Sequence, residues 1–386
     1  MISKFNEPIM VTRPLLPSLQ NINNQLQEIW ESKWITNNGP KNKELREALK
    51  EYLAVNHLSL FSNGTLGLLL GIKSLELTGE VITTPFTFPA TVGALEWNGL
   101  TPVFCDIDNV TLTIDANKIE ALITERTSAI LAVHVLGIPC EVDKIQQVAD
   151  KYHLKVIYDG AHVFGAKLNC KPIGEFGDMT MFSFHATKLF NTIEGGAVTF
   201  KDKTLDRKLQ LFKNFGISGP DTVELSGINA KLNEIQAAVG LEVLKLVPEQ
   251  RKKRHYIKQL YETNLKTISG IRIVTKHEEQ ESSYQFFIIE INEKEFGINR
   301  NQLHEKLKDY NVFTRKYFYP LCSDFTWYHD LPSAQQKYLP TAYEKIETVL
   351  ALPFYGELTT EEVIQICEII KFIQKKASTD VLANWE

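Results

Sequence analysis

The stretch Lys155-Val-Ile-Tyr-Asp159-Gly-Ala-His162 governs how the rest of the chain is read. Its apolar run is too short for a helix and reads as a buried strand that delivers a carboxylate at its end. Just upstream, Val142, Ile145, Val148, Ala149 and Tyr152 recur at helical spacing, which predicts an amphipathic helix over Val142–Tyr152. Helix followed by strand then repeats outward. Leu58–Phe61, Glu80–Thr83, Pro102–Ile107 and Ala129–Val135 read as strands before it, and Thr180–Phe184 and Ala197–Phe200 as strands after it. Lys41–Leu53 and Leu66–Ile72 read as helices. Short apolar strands alternating with helices predict an α/β fold with a mainly parallel sheet covered on both faces. Ligands of such sheets bind beyond the carboxyl ends of the strands.

The pattern changes near residue 245. Pro248 is expected to interrupt a helical stretch that resumes over Glu249–Leu265. Strand-like Tyr284–Ile291, helical Asn299–Tyr310, strand-like Asn311–Phe313 and helical Thr359–Ile373 follow. The expected organisation is a large α/β domain over 1–245 and a smaller α+β domain over 246–386.

Composition narrows the function classes. The 386 residues are 44% hydrophobic and 23% charged, enough for a large core and unlike a disordered chain. Lys and Arg number 42 against 47 Asp and Glu, a net −5 that argues against a dedicated nucleic-acid binder. The basic run Arg251-Lys-Lys-Arg254 has no interleaved aromatic and reads as a solvated helix face. No apolar run approaches membrane-spanning length, and Met1–Pro8 has no apolar h-region. Five scattered cysteines show neither metal-ligand nor redox spacing. A cytoplasmic protein with reduced thiols and no metal is the expectation.

Four segments carry chemistry. Ser62-Asn63-Gly64-Thr65 joins a strand to a helix, where first-turn N–H groups favour an anion such as a phosphate; alone it is also an ordinary N-cap turn. Asp159 ends a buried strand and can hold a cationic nitrogen protonated; alone it is also an Asx turn. In Phe182-Ser-Phe-His-Ala-Thr-Lys188-Leu-Phe-Asn-Thr-Ile-Glu194-Gly-Gly196, a strand delivers Ser183, and Lys188 follows in a non-periodic loop. A lysine so placed can form a Schiff base with an aldehyde. In Gly227-Ile-Asn229-Ala-Lys-Leu-Asn-Glu234-Ile-Gln236, Asn229 reads in isolation as the cap of the following helix. Together a phosphate cradle, a strand-end acid, a serine and a Schiff-base lysine are the parts that hold pyridoxal phosphate. Phe88, in Pro85-Phe-Thr-Phe88-Pro-Ala-Thr91, can stack on its ring or belong to the core.

The order and spacing of these segments resemble the DegT/DnrJ/EryC1/StrS group, sugar aminotransferases among the fold-type I pyridoxal phosphate enzymes. The resemblance runs from Trp34-Ile-Thr-Asn-Asn-Gly39-Pro through Pro102–Asp108, His134–Pro139 and Asp159–Ala166 to Leu352-Pro353. It implies that Lys188 carries the cofactor and shuttles protons, that Asp159 partners the pyridine nitrogen, and that His162 lies near the phenolic oxygen. Gly64, Thr65 and Ser183 would then bind the phosphate, and Asn229 would reach the phosphate of a neighbouring subunit in a homodimer with composite sites. Ile193 departs from the glycine common there. A lysine at 188 marks transaminases, whereas relatives with histidine there are ketosugar dehydratases.

The implied partners are a nucleotide-linked keto sugar and L-glutamate, which leaves as 2-oxoglutarate. The resemblance extends to members acting on dTDP-4-keto-6-deoxyglucose in O-antigen and related lipopolysaccharide synthesis. A 3-keto sugar, or a GDP- or UDP-linked one, is the alternative. His185 and Tyr317 are candidates for the sugar pocket, or equally packing and surface aromatics. Two other classes stay in view. A non-catalytic relative would be expected to lose Lys188 or Asp159, and a dinucleotide-binding oxidoreductase would need a Gly-x-Gly-x-x-Gly that this chain lacks.

Overall fold

A computed structural model of the chain describes residues 2–274 and 280–383. Seven strands form the main sheet: β1 (Leu58–Phe61), β2 (Glu80–Thr83), β3 (Thr101–Phe104), β4 (Thr127–Val133), β5 (Lys155–Asp159), β6 (Met179–Ser183) and β7 (Gly196–Phe200). Their order is β1-β7-β6-β5-β4-β2-β3. Only β7 runs against the others, pairing antiparallel with both β1 and β6. The remaining neighbours are parallel. Six carboxyl ends therefore reach one edge of the sheet, where β7 begins.

The helices of eight or more residues are α1 (Leu19–Ser32), α2 (Pro40–Leu53), α3 (Gly64–Ser74), α4 (Pro89–Glu96), α5 (Val142–Tyr152), α6 (Thr204–Phe212), α7 (Glu234–Leu265), α8 (Arg300–Lys308), α9 (Pro340–Thr348) and α10 (Thr360–Ala383). The strands are buried on both faces because alternate residues feed opposite cores. In β5, Val156 and Tyr158 join a cluster with Leu45, Leu49 and Ile145 from α2 and α5, whereas Ile157 joins one with Leu68 and Ile72 from α3. A three-stranded antiparallel sheet, β8 (Ile271–Ile273), β9 (Phe287–Ile291) and β10 (Val349–Leu352), lies in the later half. Its core takes Ile289, Leu350, Val363 and Ile366, and Phe5 and Ile9 from the start of the chain.

Several expectations differ from what is seen. Pro248 does not interrupt a helix: α7 runs through it as one 32-residue element, with Val243, Val247 and Gln250 buried around it. Packing of both ends outweighs the one lost hydrogen bond. The β8–β10 core takes Ile257, Tyr261 and Leu265 from α7, and the main-sheet cluster takes Ala237, Val239 and Val243. The helix therefore belongs to both, and residue 245 lies inside it. Asn311–Phe313 makes only an isolated pairing, Val312 with Ile9, and Ile107 pairs with Ile114 instead of extending β3.

The start of α2 shows how distant segments are tied. Gly39 precedes it and offers no side chain as a cap. The carboxylate of Glu234, buried at the start of α7, accepts from the N–H groups of Lys41 at 2.7 Å and Asn42 at 3.0 Å. A Cβ on Gly39 would lie 2.5 Å from the Glu234 carboxyl carbon, so only glycine admits this arrangement. The acid satisfies two orphan donors and faces the positive end of the helix. Glu234→Ala leaves both amides buried without an acceptor and is expected to cost about 2–3 kcal/mol. A lower urea midpoint would register it, and an unchanged midpoint would show that water caps the helix equally well.

Candidate active site

Register brings the chemistry together. Phe61, Gly196 and Ser183 sit side by side across β1, β7 and β6, and Asp159 pairs with Met181 and Val133. The chain leaves β1 directly into α3, whose first residues are Gly64 and Thr65. Asn63 caps that helix, its Oδ1 accepting from Leu66 N at 2.8 Å. The N–H groups of Gly64 and Thr65 have no acceptor within the helix. They open beside Ser183: a Cβ on Gly64 would lie 3.1 Å from the Ser183 Cβ, and one on Gly196 would lie 2.6 Å from Gly64 N. Backbone packs on backbone here because both positions lack a side chain. The result is a concave group of donors of the kind that holds a phosphate.

Asp159 is 5% exposed. Its carboxylate accepts from the Thr91 hydroxyl at 2.7 Å and from Ala161 N at 3.0 Å. Burial raises its pKa above the usual carboxylate value, and the two hydrogen bonds and the charge of Lys188 only partly oppose this. Among the described residues no cation lies within ion-pair distance of it. A protonated ring nitrogen is the kind of partner such an acid lacks.

Lys188 lies partly buried in the loop after β6. Burial lowers its pKa to about 8; the Asp159 carboxylate opposes this and the charge of Arg315 adds to it. The loop is held by polar clamps on both sides. Gln285 takes the N–H of Leu189 at 2.8 Å and donates to the Thr187 carbonyl at 3.1 Å. Gln236 donates to the Glu194 carbonyl at 2.6 Å, and Asn191 to the Leu15 carbonyl at 3.0 Å. Lys213 is buried too, and burial lowers it to about 7, but its Nζ is engaged by Ser59 Oγ at 3.2 Å and the Leu60 carbonyl at 3.1 Å. Geometry separates the two lysines where burial alone does not.

His162 is buried, stacked on Phe318 at 5.9 Å and met edge-on by Phe286 at 4.9 Å. The N–H of Leu136 donates to its Nδ1 at 3.3 Å, so the neutral ring carries its proton on Nε2. Burial holds it well below its usual pKa, and the Lys188 charge works in the same direction. Phe88 is 53% exposed at the start of α4, so it is not a core residue, whereas Phe86 is fully buried.

Other expected residues fall less close. Asn229 is exposed and pairs with Asn214 through the backbone; the cap of α7 is Asn233, in a reciprocal box with Gln236. His185 is exposed, 2.9 Å from the Thr187 hydroxyl and 3.7 Å from the Glu194 carboxylate. Tyr317 packs on Phe286 at 5.0 Å with the Arg315 guanidinium 5.2 Å above its ring. Arg315, Thr91, Gln285 and Phe318 escaped the sequence reading as site residues. Thr91 lay in a segment already singled out, two residues after Pro89, and Arg315 and Phe318 flank Tyr317 in another.

Pyridoxal phosphate fits this set: the glycine-lined cradle, the buried acid without a cation and the lowered lysine each match one part of it. Residues 18–371 match the DegT/DnrJ/EryC1/StrS aminotransferase family. The chain is 44% identical over 368 residues, 95% of its length and 98% of the relative's, to a dTDP-4-amino-4,6-dideoxy-D-glucose transaminase of Escherichia coli. Among solved structures it superposes on DesI, crystallised in the presence of its TDP-sugar product, with a TM-score of 0.93, 34% identity and coverage of 100% and 97% of the two chains. A sugar aminotransferase of Streptococcus pneumoniae, solved in PLP and PMP forms, is 27% identical with TM-scores of 0.88 and 0.89, covering 96% of this chain and 99% of that one. With the family matched over nearly the whole chain and the parts of the site assembled at one sheet edge, the protein belongs to the DegT/DnrJ/EryC1/StrS aminotransferases and is a pyridoxal phosphate enzyme.

Proposed function

We propose that the enzyme moves the amino group of L-glutamate onto the keto carbon of dTDP-4-keto-6-deoxyglucose, giving dTDP-4-amino-4,6-dideoxyglucose for surface polysaccharide such as O-antigen. The observation that carries transamination is Lys188, lowered in pKa and within electrostatic reach of buried Asp159 at the carboxyl ends of the strands. The sugar and its nucleotide rest on likeness to the transaminase from Escherichia coli. The chain works as a large cofactor-binding unit over 1–245 and a smaller unit over 246–386 that share α7.

When bound, pyridoxal phosphate supplies an aldehyde and a ring that accepts the electrons released with the donor's α-proton. Gly64, Thr65 and Ser183 would hold its phosphate, and Phe88 would pack against its ring. Asp159 keeps the ring nitrogen protonated, with Thr91 and Ala161 fixing the orientation of the carboxylate. His162 donates from Nε2 toward the phenolic oxygen. Lys188 would hold the aldehyde through its neutral Nζ and, once freed by the donor's amine, would take the donor's α-proton and return it one position along. With a pKa of about 8, roughly a tenth of the lysine is neutral at pH 7, against well under a thousandth at its ordinary value. Lys188 makes the same transfer in reverse on the sugar side. His185 and Tyr317 line the sugar pocket.

A homodimer is supported by apolar groups left in the open near Asn229. Phe215, Ile217, Val223 and Ile228 are exposed around the hairpin Ile217–Val223, and Ile35 and Ile235 are exposed where Glu234 N donates to the Ile35 carbonyl at 3.1 Å. In that dimer Asn229 reaches the phosphate held by the neighbouring subunit. Among the described residues no helix is long and apolar enough to cross a membrane.

The deciding experiment is a visible absorption spectrum of the purified protein before and after L-glutamate. Conversion of the lysine-bound cofactor band to the pyridoxamine form, reversed by dTDP-4-keto-6-deoxyglucose, is expected; a protein that takes up no cofactor would overturn the reading. Lys188→Ala should lose that band and all turnover while remaining folded. Asp159→Asn, which removes the anionic partner of the ring nitrogen, should lower turnover about 100-fold or more; near-normal rates would remove the acid from the mechanism. Uptake of pyridoxal phosphate by the cofactor-free protein needs the neutral amine. Its rate should climb with pH and level off above about 8. A rate still climbing near pH 10 would show an ordinary lysine.

A further inference from the structure

β1 stands at the edge of the main sheet, with β7 on its inner side. Two other segments meet the outward backbone groups at its end. The Leu60 carbonyl accepts from Lys213 Nζ at 3.1 Å, and Ser62 N donates to the Ala230 carbonyl at 2.9 Å. Ala230 N in turn donates to the Lys213 carbonyl at 3.0 Å. Strand end, Lys213 and the Asn229–Ala230 segment thus close a ring of hydrogen bonds, and Asn214 pairs with Asn229 beside it. Two residues beyond Ser62 the chain reaches Gly64 and Thr65, so the ring adjoins the phosphate cradle on one arm and Asn229 on another.

Lys213 is 2% exposed and directly follows α6. Its Nζ is held by Ser59 Oγ at 3.2 Å as well as by Leu60, and lies 5.5 Å from the centre of the Phe61 ring. Neither acceptor is a carboxylate. Burial disfavours its charge, the charges of Arg46 and Lys231 add to that, and Asp206 opposes it. An apolar side chain of similar length would fill this space with no amine to desolvate. It would not tie Leu60 to the segment that carries Ala230.

We propose that Lys213 is a positioning residue for the cofactor's phosphate, holding the Gly64 and Thr65 donors of its own subunit in register with the Asn229 that serves the neighbouring one. This rests on the phosphate and dimer readings above and adds the group that joins the two half-sites. Backbone donors hold an anion tightly when they are fixed before it arrives, because no ordering cost then falls on binding. Glycine at 64 brings no side chain to lock that backbone, so neighbours have to do it. Gly196 packs on it from the β7 side, and Lys213 holds the strand end from the outer side. Lys213 acts through the backbone, since its Nζ is already engaged by Ser59 and Leu60.

The test titrates the cofactor-free chain with pyridoxal phosphate and with pyridoxal, which has the same ring and aldehyde without the phosphate. Lys213→Met keeps most of the stem and removes the donors. It should weaken pyridoxal phosphate binding about 10-fold and leave pyridoxal within about 2-fold of wild type. Lys213→Arg, which keeps a cationic donor, should recover part of the difference. Ser59→Ala removes one acceptor of Nζ and should lower the preference for the phosphate form about 3-fold; it carries the test alone if Lys213→Met does not fold. Equal losses for both ligands would make Lys213 a packing residue and overturn the proposal, as would an unchanged preference in these variants. A wild-type protein that binds the two ligands equally would instead overturn the phosphate assignment of Gly64, Thr65 and Ser183.

Discussion

A carboxylate buried at the end of a central strand is the constraint around which the site is built. Removing Asp159 from water is costly, and two hydrogen bonds offset only part of that cost. The acid is tolerable because Thr91, from the start of α4, and Ala161 fix its oxygens, and because Lys188 lies near enough to contribute its charge. Each partner depends on the sheet: β5 delivers the acid, β6 leads to the lysine loop, and the turn after β2 leads to α4. The same burial that raises the acid lowers the lysine, so one desolvated space tunes two groups in opposite senses. That pairing is what a proton-moving nucleophile requires near neutral pH.

The scaffold repeats one device to hold distant segments. Glu234 accepts from the first turn of α2, and Asp106, just after β3, accepts from Thr341 N at 3.1 Å and Ala342 N at 2.9 Å in the first turn of α9. Burial acts to raise the Asp106 pKa, but Lys118 and these amides prevail and lower it. In both cases an acid remote in sequence replaces a local cap, so helix start and tertiary contact form together. The start of α7 adds a third tie, since Gln236 holds the Glu194 carbonyl of the lysine loop.

What could be read from the sequence follows from which signals are local. Strand β5 and helix α5 were legible to the residue because alternation and helical spacing lie within one short window. Gly64, Asp159 and Ser183 could be grouped from the sequence because each lies at or just beyond a strand end that the sheet's register aligns, and Lys188 because it follows Ser183 in the same loop. Pro248 misled because a proline's local penalty carries no information about the packing of a helix shared by two cores. Asn229 and Asn233 are both asparagines before the same apolar face, and only backbone geometry tells the cap from the exposed neighbour. Gln285 gave no signal: it is a single polar residue on a distant segment, and its contact with the lysine loop is created by the fold.

The long helix α7 has a mechanical consequence. Its 32 residues span about 48 Å, with the lysine-loop tie at one end and the β8–β10 core at the other. A rod of hydrogen-bonded turns transmits torque well, except where a rung is absent. Pro248, close to the middle, supplies no N–H, so the helix is most compliant there. That missing rung lies between the turn that holds Glu194 and the residues buried in the β8–β10 core, so it is the point of α7 at which the two ends are least stiffly coupled.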